Sequence, residues 1–133
     1  MSTQTRDLVT SYIKAVGEHR LGALPALLDP DAEFTFGDTT LRGAEAFIGG
    51  FKRLLPIILR NDIRKVFVDG DEACIIYDFV TDSPVGAVVS VEHIKVMNGR
   101  IKSSLLVFER LHWSEVMAAV AQREAWHAST ASV

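Results

Sequence analysis

Glu92 is the first candidate for chemistry, because it is a single acid within a strongly apolar stretch. Residues 85–97 read VGAVVSVEHIKVM, and such a valine-rich run predicts a β-strand. Side chains alternate between the two faces of a strand, so Glu92 points the same way as Ile94 and Val96, toward the interior. An ionised carboxylate is costly to bury, so we expect Glu92 to be paired, protonated or in contact with a ligand.

The neighbours expected around Glu92 on the inward face carry no positive charge. They are Val88, Ser90, Ile94 and Val96 on the same strand and Ser104 or Leu106 across the next hairpin. Desolvation therefore favours the neutral acid and raises the pKa of Glu92 above its ordinary value. A neutral acid can donate a hydrogen bond, and two donors aimed at one point suit an enolate oxygen. The alternative is a structural carboxylate paired with a buried basic group.

Tyr12 is the second candidate, because it lies on the apolar face of a predicted helix. Residues 5–19 have apolar side chains at helical spacing, namely Leu8, Val9, Tyr12, Ile13 and Val16. A tyrosine on such a face either satisfies its hydroxyl with an acceptor in the core or aims that hydroxyl into a cavity. The helix by itself leaves both interpretations open.

The histidines and the cysteine form no recognisable catalytic or metal-binding pattern. His93 directly follows the candidate acid, so it points to the opposite face of the strand, toward solvent or a partner subunit. His19, His112 and His127 are scattered without the spacing of metal ligands, so we expect no metal. Cys74 lies in an apolar run and is interpreted as a small core residue. The sequence contains no phosphate-binding glycine loop, nucleophile elbow or zinc motif, so we expect no cofactor.

The composition fits a single folded domain, residues 1–133, and excludes several functional classes. With 133 residues, 48% hydrophobic and 23% charged, the chain can form one core and is not disordered. A net charge of -3 and a pI near 5.8 give no general attraction to nucleic acid or anionic membranes. A single cysteine excludes an internal disulfide. The sequence contains no apolar run of about twenty residues, so we expect no targeting or membrane segment. We therefore expect a cytoplasmic protein with no nucleic-acid or membrane partner.

Hydrophobic periodicity changes along the chain from helical to strand-like. Helices are predicted over residues 5–19, 21–28, 44–59 and 113–128, with Pro56 ending or kinking the third. Strands are predicted over residues 33–36, 63–68, 73–81, 85–97 and 101–110. Asp29-Pro30-Asp31 and residues 37–40 are interpreted as turns, and Asp69-Gly70 and Asn98-Gly99 are hairpin signals. Helices on one side of an antiparallel sheet make an α+β fold, and a strongly bent sheet leaves a concave pocket.

Alternation in the hairpin-linked strands selects the side chains that face this pocket. The predicted lining residues on these strands are Ile75, Tyr77, Phe79, Val88, Ile94, Ser104, Leu106 and Phe108, and Phe36 and Phe51 are expected to line the pocket with them. The opposite face is also apolar, with Cys74, Ile76, Val80, Val89, Val91, Leu105 and Val107. Because the helices are already used on the concave side, the outer face needs another cover, and we expect a homodimer built on it.

Four segments carry a likeness to a known superfamily: YIKAV at 12–16, residues 21–34 ending in DPDAEF, RG at 42–43 with the helix to 51, and VEHIKV at 91–96 followed by NGRI. Together they resemble the nuclear transport factor 2-like superfamily, in particular its SnoaL-like polyketide cyclase and ketosteroid isomerase branches. The likeness covers about residues 5–111. It implies an α+β cone, or cystatin-like roll, in which a strongly curved antiparallel sheet wraps around N-terminal helices. Such folds are typically dimers whose cones hold hydrophobic ligands.

The resemblance also implies roles for individual residues. In the isomerase branch a tyrosine on the first helix and an aspartic acid on a strand together hold a dienolate oxygen. Tyr12 and Glu92 fall at those positions, with Glu92 one methylene longer. The third member of that site, an aspartate general base, is replaced by Phe36, while Asp38 faces the same way if the strand continues. In the SnoaL-like cyclases the acid–base residue is an aspartate, for which Glu92 is the candidate here.

Two functions follow from these residues. In the first, the protein is a cofactor-free cyclase or isomerase that acts next to a carbonyl of a polyketide- or steroid-like molecule. Asp38 then takes a proton as base, while Tyr12 and a neutral Glu92 hold the oxyanion. In the second, the same pocket belongs to a non-catalytic ligand-binding or dimeric assembly module. Phe36 at the general-base position favours the second function, and Tyr12 together with Glu92 favours the first.

Overall fold

The protein folds into four α-helices and six β-strands within residues 2–131, the part of the chain that this computed structural model describes. The helices are Ser2–Gly17 (α1), Leu24–Leu27 (α2), Ala44–Leu54 (α3) and Trp113–Ala131 (α4). The strands are Leu28–Phe36 (β1), Thr39–Arg42 (β2), Ile58–Asp69 (β3), Glu72–Thr81 (β4), Ala87–Met97 (β5) and Arg100–Phe108 (β6). The 3₁₀ turns Leu21–Ala23 and Leu55–Ile57 precede α2 and β3.

The strands form one open sheet in the order β2-β1-β6-β5-β4-β3. Strands β3 to β6 are joined by consecutive antiparallel hairpins, as predicted. Strand β1 pairs with β2 antiparallel but with β6 parallel, so the sheet is mixed rather than wholly antiparallel. The parallel pair arises because α3 and the other strands of the meander lie between β1 and β6 in the chain, and no hairpin joins them. The predicted α+β class is confirmed.

The predicted and observed elements differ most in the first half of the chain. Residues 21–28, predicted as one helix, contain only a 3₁₀ turn and the single-turn α2. The predicted turn Asp29-Pro30-Asp31 lies within β1, where the register with β6 shifts between Leu28 and Glu33. Such an irregularity accommodates Pro30, which has no amide hydrogen for the strand ladder. Part of the turn predicted over residues 37–40 and the two residues that follow it form the edge strand β2, which is too short for a clear alternation.

Pro56 separates α3 from β3. Helix α3 ends at Leu54, earlier than the predicted residue 59, and Pro56 lies in the 3₁₀ turn that follows. A proline cannot donate the next helical hydrogen bond, so the chain leaves the helix there. Strand β3 then runs over Ile58–Asp69, longer than the predicted 63–68. Its register with β4 shifts twice, and such bulges bend a strand.

Helix α1 packs across β3 and β4, and α3 packs on β1, so the core lies between these helices and the sheet. The end of α1 approaches β3 closely, because a Cβ added to Gly17 would lie 2.5 Å from the amide nitrogen of Asn61. The Asn61 side chain in turn donates to the carbonyl of Ile13 at 3.0 Å. These contacts fix α1, and therefore Tyr12, over the middle of the sheet. No helix in the described part of the chain is long and apolar enough to cross a membrane.

Candidate functional site

A cavity of about 340 Å³ lies between the concave face of the sheet, α3 and the start of α4. Side chains of the strands form one wall: Phe34, Phe36, Leu41, Tyr77, Phe79, Ser90, Leu106 and Phe108. The helices contribute Gly50, Phe51, Arg53, Leu54, Trp113 and Met117. The ring centroids of Phe34 and Phe51 are 5.2 Å apart, and those of Phe108 and Trp113 are 4.7 Å apart. At such separations the aromatic rings support one another, so the wall is largely preformed.

Six of the predicted lining residues border this cavity, namely Phe36, Phe51, Tyr77, Phe79, Leu106 and Phe108. Four others, Ile75, Val88, Ile94 and Ser104, are buried in the core and do not line it. For Ile75 and Ser104 the reason is α1, which packs over their part of the inward face and fills the space there. The alternation of the strands therefore identifies the inward face, but it does not show which part of that face a helix covers.

The remaining lining residues differ in how well the sequence signals them. Phe34 shares the period of Phe36 in β1, and Ser90 shares the inward face of β5, so alternation alone could have found both. Trp113 and Met117 come from α4, whose position depends on contacts distant in sequence. Gly50 is signalled in the sequence only as part of a glycine pair within a predicted helix. In the structure a Cβ at this position would lie 2.9 Å from a methyl carbon of Leu41.

Glu92 is fully buried beside this cavity and accepts hydrogen bonds from three hydroxyl groups. The Tyr12 hydroxyl donates to Oε1 at 2.6 Å, and the Ser104 hydroxyl donates to the same oxygen at 2.8 Å. The Tyr77 hydroxyl donates to Oε2 at 2.6 Å. Within the described chain no basic side chain contacts the carboxylate. The predicted absence of a positive neighbour therefore holds, and three hydroxyl donors take the place of a cation.

The strand register brings these groups together. Glu92 pairs across the sheet with Ile75 on β4 and with Leu106 on β6. Tyr77 and Ser104 are each two residues from those partners and lie diagonally opposite Glu92 on the same face, within reach of a long side chain. Tyr12 completes the cluster from α1. The contribution of Tyr77 could have been inferred from the β4–β5 hairpin, because it follows from the same alternation that places Glu92.

Burial raises the pKa of Glu92, and the hydrogen bonds from Tyr12, Tyr77 and Ser104 offset part of that rise. The predicted direction of this shift is confirmed. Burial, and then the neighbouring charge of Glu92, raise the pKa values of Tyr12 and Tyr77 well above the ordinary tyrosine value. Both tyrosines therefore keep their protons at neutral pH and serve as donors.

Tyr12 and Glu92 do not form the paired donors that the sequence suggests. The Tyr12 hydroxyl is used by Glu92, and neither side chain borders the 340 Å³ cavity. The physical reason is that α1 packs directly on the sheet, which brings the hydroxyl onto the carboxylate and leaves no room for a ligand between them. Tyr77 is the member of the cluster that borders the cavity, so it is the connection between Glu92 and any bound molecule.

Asp38 lies outside the site. Strand β1 ends at Phe36, and Asp38 follows in the exposed turn before β2. Asp38 accepts a hydrogen bond from the neighbouring Thr39 hydroxyl at 3.5 Å. The prediction that Asp38 faces the cavity requires the strand to continue past Phe36, and it does not. The cavity wall therefore contains no carboxylate among the described residues that could act directly as a base.

His93 lies on the outer face of the sheet, where its Nε2 is 2.8 Å from Oε1 of Glu72. Cys74 pairs with His93 in the strand register and is partly exposed on that face, so it is not the core residue that the sequence suggests. Among residues 2–131 no cluster of three or more His, Cys, Asp and Glu side chains is placed to hold a metal ion.

Comparison with known families and structures agrees with this architecture. A profile described as the SnoaL-like domain matches residues 9–104. No curated protein matches the sequence significantly. A de novo designed protein with a curved β-sheet aligns with a TM-score of 0.78 and 20% identity, covering 89% of this chain and 95% of the designed one.

Two natural structures extend the comparison. A candidate ketosteroid isomerase from Kribbella flavida has a TM-score of 0.73 and 17% identity, with 84% of this chain and 87% of that chain covered. A candidate polyketide cyclase from Sinorhizobium meliloti has a TM-score of 0.68 and 20% identity, with 76% of this chain and 94% of that chain covered. At these identities the likeness shows the fold.

Proposed function

The chain belongs to the SnoaL-like domain family, and we propose that it binds a small, largely apolar molecule in the cavity beside Tyr77. The observation that carries this proposal is the cavity itself. Its volume of about 340 Å³ lies at the lower end of the range of about 300–1,000 Å³ that is usual for small-ligand sites. Its wall is mostly aromatic and aliphatic, and its few polar groups include those of Tyr77, Ser90 and Arg53.

The driving force for such binding is the removal of apolar surface from water. The wall of this cavity is rich in aromatic rings, and a ligand that fills the cavity gains roughly 25 cal/mol for each Å² of apolar surface buried. A flat aromatic molecule suits the wall, because Phe34, Phe108 and Trp113 are among its aromatic lining residues. The modest volume favours compact ligands over long chains.

Binding is tested by calorimetric titration with naphthalene-2-carboxamide, a neutral aromatic probe. We expect saturable binding to one site per chain. Leu106 borders the cavity, so Leu106→Trp should fill it and weaken binding at least about tenfold. Leu105→Trp is the matched control, because Leu105 is the preceding residue and points to the outer face, where it is 42% exposed. Equal affinity in both variants, or no binding to the wild type, would contradict the proposal.

A second candidate function, a cofactor-free isomerase or cyclase reaction, is favoured by one contact, the Tyr77–Glu92 hydrogen bond beside the cavity. If Glu92 is protonated, it can donate to the Tyr77 oxygen and leave the Tyr77 hydrogen free for a carbonyl oxygen in the cavity. That arrangement would stabilise an enolate-like charge, as a preorganised donor does. It would supply only the electrophilic half of the reaction. A base from the solvent would take the proton next to the carbonyl, because a protonated Glu92 cannot accept it and no carboxylate lines the described cavity wall.

The catalytic candidate is tested with a β,γ-unsaturated ketone whose conjugated product absorbs in the ultraviolet. Under this function the wild type accelerates the isomerisation over buffer, and Tyr77→Phe reduces kcat by roughly 10²–10³-fold, the usual effect of removing one such donor. Phe79→Leu, another cavity residue with no hydroxyl, should change KM more than kcat. A wild type that binds the ketone but does not convert it would contradict the catalytic function and support only the binding function.

A further inference from the structure

We propose that the ligand of this cavity carries a negatively charged group, a carboxylate in its simplest form, which Arg53 binds at the cavity mouth. This inference rests on the proposed hydrophobic-ligand function and names the class of ligand. Arg53 is the one charged residue among the described residues that line the cavity. A single guanidinium at the edge of an apolar wall selects an amphipathic molecule with an apolar body and an anionic end.

The sign of this charge is informative because the chain as a whole is acidic. Lys and Arg number 14 against 17 Asp and Glu, so chance alone would place an acid here at least as often as a base. None of those acids lines the cavity within the described chain, and Glu92 lies behind Tyr77. A bound carboxylate therefore meets a cation at the wall, and the one carboxylate paired with that cation among the described residues, Glu124, does not line the cavity.

Arg53 is held loosely and keeps most of its hydrogen-bonding capacity. It lies near the end of α3, its side chain is 61% exposed, and its Nε donates to Oε1 of Glu124 on α4 at 3.3 Å. Neither Nη group has a hydrogen bond to another described residue. A guanidinium carries five N–H donors, so the two Nη groups can donate two hydrogen bonds to one carboxylate in a bidentate arrangement. An exposed ion pair such as Arg53–Glu124 is weak, and a ligand carboxylate can replace Glu124.

A second cation lies next to one of the rings that line the cavity. The guanidinium of Arg110 is 5.9 Å from the ring centroid of Phe108, which lines the cavity. A Cβ added to Gly37 would lie 2.9 Å from Arg110 Nη1, so the side chain of Arg110 lies over the turn that follows β1. Asp38 and Glu109, the acids next to Gly37 and Arg110 in the sequence, offset part of this charge. Arg110 thus adds to the positive potential, while Arg53 is the group that touches the cavity.

The test compares naphthalene-2-carboxylate with naphthalene-2-carboxamide, which share one apolar body and differ in charge, by calorimetric titration at neutral pH. In the wild type the carboxylate should bind roughly three- to tenfold more tightly than the amide. Arg53→Gln should abolish this preference, so that the carboxylate and the amide bind with about equal affinity. Arg60→Gln is the matched control, since the Arg60 side chain is also 61% exposed, is also paired with an acid, and does not line the cavity.

Glu124→Gln provides a test in the opposite direction. It removes both the competitor for Arg53 and a negative charge near the mouth, so it should raise the affinity for the carboxylate by roughly twofold or more and leave that for the amide unchanged. Added salt should weaken binding of the carboxylate alone.

The possible outcomes separate this inference from the function on which it rests. Equal affinities for acid and amide in the wild type would overturn the anionic ligand class, and a preference for the acid that survives Arg53→Gln would overturn the assignment of Arg53. Either result would leave hydrophobic binding intact. Binding of neither probe would overturn both proposals. A preference for the acid that is lost in Arg53→Gln, kept in Arg60→Gln and enhanced in Glu124→Gln would support the inference.

Discussion

At the scale of single residues, Glu92 is a buried acid whose partners are hydroxyl groups rather than a cation. Such a site can hold either protonation state: the ionised form accepts three hydrogen bonds, and the neutral form donates one. Two of the three donors come from strands, and the third, Tyr12, comes from α1. The cluster therefore ties the first helix to the sheet and also lies next to the ligand cavity through Tyr77.

Removing the acceptor should be costly even though no ion pair is broken. In Glu92→Leu the hydroxyls of Tyr12, Tyr77 and Ser104 lose their partner inside the core, and each buried unsatisfied donor costs about 1–3 kcal/mol. We expect Glu92→Leu to lower the free energy of unfolding by about 3–5 kcal/mol in urea denaturation. Glu92→Gln keeps a carbonyl acceptor and should cost about 1 kcal/mol. Equal stability of the two variants would show that the hydroxyls find other acceptors.

The raised pKa of Glu92 makes a prediction about pH. Between the unfolded-state pKa and the higher folded-state pKa, the folded protein retains a proton that the unfolded chain has lost, so stability falls as pH rises. The contribution of Glu92 is thus fully present below its unfolded pKa, near 4.5, and is lost as the pH passes the folded pKa. The wild type should lose stability relative to Glu92→Gln over this window in denaturation curves measured from mildly acidic pH upward. A wild type that gains stability relative to Glu92→Gln as the pH rises would contradict the raised pKa.

At the scale of secondary-structure elements, the position of α1 depends on a missing side chain. A Cβ at Gly17 would lie 2.5 Å from the amide nitrogen of Asn61 in β3, and a backbone atom cannot move aside as a flexible side chain can. Gly17→Ala should therefore lower the free energy of unfolding by about 1–3 kcal/mol. Gly49→Ala in α3 is the control, because nothing lies within 4 Å of its added Cβ. That change should stabilise by up to about 1 kcal/mol through helix propensity. Thermal denaturation of both variants measures the difference.

The elements also show what the sequence can and cannot predict. The β3–β4 and β5–β6 hairpins follow from Asp69-Gly70 and Asn98-Gly99, because their turn chemistry is local. The inward direction of Glu92 and Tyr77 follows from alternation for the same reason. The parallel β1–β6 pair, the cover that α1 places over Ser104, and the contribution of α4 to the cavity all depend on contacts distant in sequence. The periodicity of neighbouring residues in the sequence cannot predict these contacts.

At the scale of the whole molecule, the outer face of the sheet is an apolar surface that the described helices leave uncovered. Phe67 on β3, Val89 on β5, and Leu105 and Val107 on β6 are 56%, 41%, 42% and 60% exposed. Val91 pairs in register with Val107, and His93 pairs with Leu105, so these side chains form one continuous patch. A contiguous apolar patch, unlike single exposed apolar residues scattered over a surface, is typical of an interaction site.

We therefore predict a homodimer formed through this face, which places the two cavities on opposite sides of the paired sheets. In sedimentation velocity the wild type should be a dimer at micromolar concentration. Val107→Lys places a charge in the middle of the patch, and burying that charge without a partner is costly, so the dissociation constant should rise at least about tenfold. Leu111→Lys is the control, because Leu111 is 78% exposed and lies outside the sheet. Since Val107 is exposed in the single chain, Val107→Lys should keep the stability of the monomer and its affinity for naphthalene-2-carboxamide. A wild type that sediments as a monomer, or two lysine variants that dissociate equally, would contradict assembly through this face.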